Sequence, residues 1–118
     1  MTIQGLVDSG MFAIVNEGEE RSREISTVFC CDLLSIAMGR APAGCAWVTV
    51  MGNMNTLAVA ALADAACIIM AEGATLDEAA MKKAKGQGIT VMGTDLPIFE
   101  AALNVYQALK GPSGNAQA

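Results

Sequence analysis

Thr49, Gly52, Asn53, Asn55 and Thr56 stand where one apolar run gives way to another that is rich in Ala. Where a strand passes into a helix, the first helical N–H groups have no intrahelical partner. Small hydroxyl and carboxamide side chains beside them can grip an anion or an adenine-like group. The same residues can equally do no more than cap a helix and form a turn. Two further pairs, Glu72 with Gly73 and Thr94 with Asp95, follow later apolar runs in the same way. In a parallel sheet all three groups flank one edge. Glu72 and Asp95 can then act as a carboxylate pair, although capping accounts for Asp95 as well.

The thiols are the other reactive groups. Cys30, Cys31, Cys45 and Cys67 sit in or beside apolar runs, with no C-x-x-C spacing, so they read as buried, reduced cysteines of a cytoplasmic protein. Cys30 and Cys31 point apart if both lie in a strand, and the carboxylate of Asp32 raises rather than lowers a neighbouring thiol pKa. No metal site, cofactor or disulfide is expected.

The chain contains no His, which removes Ser-His and Cys-His nucleophile pairs and the commonest general base at neutral pH. It also has neither G-x-x-x-x-G-K-[ST] nor a strand-led G-x-G-x-x-G. A catalytic role is therefore not expected. A net charge of −5, from 7 basic and 12 acidic residues, opposes the counterion-release term that drives nucleic-acid binding, so no nucleic-acid partner is expected either.

The elements that must position these residues follow from the hydrophobic pattern. The 118 residues, 53% of them hydrophobic, suit one domain with a packed core and leave no room for a second. Residues 41–63 carry no charge, yet Pro42, Gly44, Gly52, Asn53 and Asn55 interrupt them. That stretch is accordingly a strand, a turn and a core helix rather than a membrane span. The N-terminus lacks the basic start and apolar run of a secretory signal.

Residues 2–9 form a short helix closed by Gly10, and residues 11–15 a short buried strand. The charged connection 16–24 leads to a second strand over 25–30. Asp32 then caps a helix that Gly39 closes. Residues 46–51 read as a third strand, and 56–63 as a helix apolar on every face and so covered on more than one side. Strand 66–70 precedes a helix opened by a Thr75/Glu78 capping box and ended at Gly86. Lys82, Lys83 and Lys85 complement that helix's negative end, the alternative being a phosphate site. Strand 89–92 is followed by a helix that Asp95 caps, that accepts Pro97 in its first turn, and that buries Phe99, Ala102, Leu103 and Tyr106. Lys110-Gly111-Pro112 stops it. Alternation of this kind predicts an α/β fold, a largely parallel sheet with helices on both faces, whose binding loops lie at the carboxyl ends of the strands.

The blocks at 31–38 (Cys-Asp-Leu-Leu-Ser-Ile-Ala-Met), 46–50 (Ala-Trp-Val-Thr-Val), 55–62 (Asn-Thr-Leu-Ala-Val-Ala-Ala-Leu), 66–73 (Ala-Cys-Ile-Ile-Met-Ala-Glu-Gly) and 88–96 (Gly-Ile-Thr-Val-Met-Gly-Thr-Asp-Leu) together resemble the DRTGG domain family. That family is similar to the N-terminal domain of HPr kinase/phosphorylase, and it also occurs beside phosphotransacetylase and within CBS-containing pyrophosphatases. The resemblance implies a single α/β domain over residues 1–112, and residues 113–118, small and polar, are expected to form a disordered tail. It also implies a noncatalytic module that dimerises or regulates. Where the family shows Thr-Gly-Gly, this chain has Ala71-Glu72-Gly73, so the hydroxyl is absent and only the last Gly is kept.

Two functions follow as expectations. The leading one is a homodimeric, ligand-sensing regulatory module for a small anionic or nucleotide-like ligand, in which Met54, Ala58, Ala61, Leu62 and Ala65 can pack against the same helix of a second subunit. The alternative is a redox or iron–sulfur (hydrogenase-associated) accessory protein that uses its cysteines, since small stand-alone relatives sometimes carry such labels.

Overall fold

The computed structural model describes the backbone of residues 1–117 and the side chains of residues 1–111; the expectation of a disordered tail at 113–118 concerns residues whose side chains lie outside these. Ten elements follow in chain order: α1 (Ile3–Asp8), β1 (Ala13–Asn16), β2 (Val28–Cys30), α2 (Leu34–Arg40), β3 (Ala46–Thr49), α3 (Met54–Leu62), β4 (Cys67–Met70), α4 (Glu78–Gln87), β5 (Thr90–Gly93) and α5 (Ile98–Gln117). The backbone of α5 breaks at Gly111, at φ 70° and ψ 175°.

The strands form one sheet in the order β1-β5-β4-β3-β2, parallel throughout except that β1 runs antiparallel to β5. Successive parallel strands lie side by side, so right-handed crossovers carry α2, α3 and α4 onto one face. There α2 packs on α3, and α3 on α4. The other face is covered by α1 and by α5, which lies across β2 and β3.

The two-residue period of the strands sorts the core between these faces. Trp47, Ile68, Met70 and Val91 join Leu57, Ala60, Ala80 and Ala84 on the α2–α4 side. Val48, Cys67, Ile69 and Met92 join Ile3, Leu6, Ala101 and Val105 on the other. All four residues of β3 and of β4 are buried, as expected of parallel strands covered on both sides. Trp47 is fully buried and its Nε1 donates to the Cys31 carbonyl at 2.9 Å, so the largest core side chain leaves no polar atom unpaired. Burial of such a side chain contributes about 1.5–3 kcal/mol.

Several local expectations are corrected. β1 is not buried: Ala13 and Ile14 are exposed, because this is an edge strand with one lateral neighbour. The helix after β4 is capped by Asp77, whose Oδ1 accepts from Ala80 N at 2.8 Å. It ends at Gly88, in the left-handed conformation at φ 66°, rather than at Gly86. Gly39 lies inside α2. α3 buries Thr56, Leu57, Val59 and Ala60 but leaves Leu62 76% exposed, so it is covered towards the sheet and not on its outer side.

On α5 the buried residues are Ala101, Ala102 and Val105, while Phe99, Leu103 and Tyr106 face outward. Two overlapping stripes have helical spacing here. The one with smaller residues faces the sheet, which lets the helix lie close to β2 and β3.

Candidate functional site

With β2 to β5 parallel, the loops after these strands meet at one edge of the sheet. Thr49 is fully buried at the end of β3. Its Oγ1 donates to Asp32 Oδ1 at 2.6 Å and accepts from Met51 N at 3.3 Å. The same Asp32 oxygen accepts from Val50 N at 3.0 Å. Asp32 is therefore not the cap of α2, whose N-cap position is Leu33 with no side-chain cap. The carboxylate instead crosses to the neighbouring loop, and Asp32 is the residue of this edge that local reading misplaced.

Asn53 caps α3: its Oδ1 accepts from Asn55 N at 2.9 Å and from Thr56 N at 3.2 Å. Gly52 meets the loop after β4, where its carbonyl accepts from Asp77 N at 2.8 Å. A Cβ at position 52 would stand on the Thr75 carbonyl oxygen, so only glycine allows the β3–α3 and β4–α4 loops to approach this closely.

Glu72 and Gly73 both have positive φ, 60° and 71°, and Ala74 N donates to Ala71 O at 2.9 Å. Positive φ at both central residues marks a type I′ turn. A non-glycine residue in that conformation costs about 1–2 kcal/mol, and Glu72 occupies a position where the resembled family shows Gly. The turn is tied to the loop after β5, with Glu72 N donating to Leu96 O at 2.8 Å and Gly73 N to Thr94 O at 2.9 Å. Glu72 Oε2 accepts from Ile98 N, at the start of α5, at 3.4 Å. Asp95 Oδ1 lies beside Gly73, and Thr94 Oγ1 accepts from Leu96 N; no side-chain bond to the first turn of α5 makes Asp95 its cap.

The nine expected site residues thus fall into two linked groups. Thr49 ends β3, Gly52 and Asn53 lie in the β3–α3 loop, and Asn55 and Thr56 open α3, with Asp32 reaching Thr49 from the β2–α2 loop. Glu72, Gly73, Thr94 and Asp95 lie across the next two loops. The turn over residues 71–77 joins them, since Ala71 N donates to Thr49 O and Asp77 N to Gly52 O. Glu72 is engaged on the Ile98 N–H and Asp95 lies beside Gly73, with no hydrogen bond between the two carboxyl groups.

The cysteines are dispersed. Cys45 and Cys67 are buried, Cys31 is half-buried and Cys30 is exposed, which corrects the expectation of four buried thiols. Burial pushes Cys45 up to about 11 and Cys67 up to about 12. Burial of the thiol, with Asp32 and Cys31 beside it, raises Cys30 too. Among the described residues, no three His, Cys, Asp or Glu side chains are grouped to hold a metal ion, and no helix is long and apolar enough to cross a membrane.

A cavity of about 230 Å³ lies at the opposite edge of the sheet, lined by Glu19, Glu20, Arg23, Asp64, Gln87 and Gly88 among others. Arg23 grips Asp64 there in a two-pronged pair, Nη1 to Oδ1 at 2.8 Å and Nη2 to Oδ2 at 2.9 Å. The hydrogen bond lowers the Asp64 pKa and raises that of Arg23. In the sequence these residues are scattered through a charged connection and a helix end, and no local signal joins them.

No family model and no curated protein matches the chain. The fold is similar to the crystal structure of the CBS and DRTGG domains of the regulatory region of Clostridium perfringens pyrophosphatase, complexed with its activator, diadenosine tetraphosphate. The TM-score is 0.72 at 18% identity, covering 91% of this chain and 46% of that one. The chain therefore spans less than half the length of that structure, and at this identity the likeness is one of fold.

Proposed function

We propose that this chain is a noncatalytic regulatory module of the DRTGG type that senses a nucleotide-like ligand at the carboxyl edge of its sheet and acts as a homodimer. The observation that carries the reading is the convergence of the loops after β3, β4 and β5, cross-linked by backbone hydrogen bonds, at the edge where parallel α/β sheets place ligands. Its similarity in fold to a regulatory region complexed with a dinucleotide activator supports the choice of ligand class. For the dimer, support comes from the outer side of α3: Met54, Ala61 and Leu62 are exposed, and the helix has no charged residue.

The test is native mass spectrometry of gently purified protein, with melting curves in a panel of nucleotides. The expected result is a dimer that nucleotides stabilise, by about 2.7 kcal/mol at a hundredfold excess over Kd. A monomer at high protein concentration, with no nucleotide raising its melting temperature, overturns the reading.

A further inference from the structure

Thr56 lies in the first turn of α3 and is fully buried. Among the described residues, its Oγ1 is a buried side-chain polar atom with no hydrogen-bond partner. Buried hydroxyls are normally paired, because leaving one unpaired forfeits its hydration without return. Thr49 makes the contrast: equally buried, its hydroxyl is satisfied by Asp32 and Met51 N. Every helical Cα–Cβ bond tilts towards the helix N-terminus, so the Thr56 side chain is aimed at the end of α3 that the Asn53 carboxamide closes. Asn53 itself is exposed; its Oδ1 accepts from Asn55 N and shares the Thr56 N–H with the Asn53 carbonyl, and another acceptor can take the place of that Oδ1.

The surrounding charge selects what that acceptor is. Asp32, Glu72, Asp77 and Asp95 all lie in loops or caps at this edge. None of the seven basic residues does. Arg21 and Arg23 precede β2, Arg40 ends α2, Lys82, Lys83 and Lys85 lie in the middle and last turns of α4, and Lys110 is far along α5. A phosphate placed here would meet carboxylates with no cation to offset them. A neutral group meets no such penalty and still gains from the positive end of the helix dipole.

Resting on the nucleotide-sensing reading above, we propose that the first turn of α3 takes the neutral nucleoside part of the ligand. A carbonyl or ring-nitrogen acceptor displaces Asn53 Oδ1 from the Asn55 and Thr56 N–H groups, and Thr56 Oγ1 pairs with the same group, while the phosphates remain outside in solvent.

The test is calorimetric titration, without divalent cations, of the full chain and of T56V and T56S with adenosine, adenosine triphosphate and inorganic triphosphate. Adenosine and its triphosphate are expected to bind wild type within about threefold of each other, and inorganic triphosphate not at all. T56V, isosteric and without the orphan hydroxyl, is expected to melt no lower than wild type yet to bind both nucleosides at least about tenfold more weakly. T56S restores binding. If adenosine triphosphate binds but adenosine is tenfold weaker, or if T56V binds as wild type does, this assignment fails while nucleotide sensing stands. If wild type binds none of the three, both fail.

Discussion

Asp32 Oδ1 receives two hydrogen bonds, from Thr49 Oγ1 at 2.6 Å and from Val50 N at 3.0 Å, so a single carboxylate oxygen fastens the loop after β2 to the end of β3. Asp32→Ala leaves the buried Thr49 hydroxyl and the Val50 N–H without their acceptor. A loss of about 1–3 kcal/mol is expected in urea unfolding. Thr49→Val keeps the Val50 bond and should cost less. Equal stability of D32A and wild type would show that water replaces the carboxylate at no cost.

Gly52 is required by close approach. Gly52→Ala places a methyl group on the Thr75 carbonyl, forcing apart the two loops that the Asp77 N to Gly52 O bond holds together. The expected cost is about 1–3 kcal/mol or more, with weaker stabilisation by nucleotide. A calorimetric melt of G52A within a degree of wild type contradicts the packing described.

The thiols should differ in reactivity in the native state. Cys30 is exposed whereas Cys45 and Cys67 are not, so a disulfide reagent should modify Cys30 rapidly and the buried pair only after denaturation. Their folded pKa values, about 11 and about 12, exceed the ordinary 9.0. The unfolded chain therefore releases these protons first as pH rises. These two thiols leave stability unchanged well below pH 9 and should lower it between pH 9 and 12, less steeply in Cys67→Ala.

The Arg23–Asp64 pair acts in the opposite pH direction. The folded Asp64 pKa lies below the ordinary 3.8, so its contribution is present above that value and is lost as pH falls through the folded pKa. Asp64→Asn should lower the melting temperature at pH 7. The gap to wild type should close in acid and shrink in high salt, as for a solvent-exposed pair worth no more than about 1 kcal/mol. A gap unchanged at pH 2 argues against the ion pair.

Leu62 offers a direct test of the dimer. It is 76% exposed, so Leu62→Lys should change protomer stability by no more than about 0.5 kcal/mol, yet it places charge within the proposed α3 contact. Sedimentation velocity should then give a monomer where wild type gives a dimer. A dimer that survives the substitution moves the interface elsewhere on the surface.

The strand-to-helix alternation was legible in the residues because its signals are local. Val, Ile and Met runs of strand length, Asn53 before a helix and glycines in the turns each act within a few positions. The parallel order follows from connections too long for hairpins. These signals also placed the candidate residues in the loops of one sheet edge, since a residue that follows a parallel strand lies at its carboxyl end whatever its partners.

Tertiary packing decided the rest. Residues 99, 102, 103 and 106 make as good a helical stripe as 98, 101, 102 and 105, and only the nearness of β2 and β3 selects the smaller set for burial. An exposed β1 is indistinguishable from a buried strand until its neighbours are counted. Asp32 beside a helix start reads as a cap, yet its oxygen accepts from the hydroxyl of Thr49, seventeen positions on. Likewise nothing near Thr56 in sequence marks its hydroxyl as unpartnered. Periodicity and capping follow from interactions within a few residues, whereas the covering of a helix face and the partner of a side chain depend on chain segments brought together only by folding.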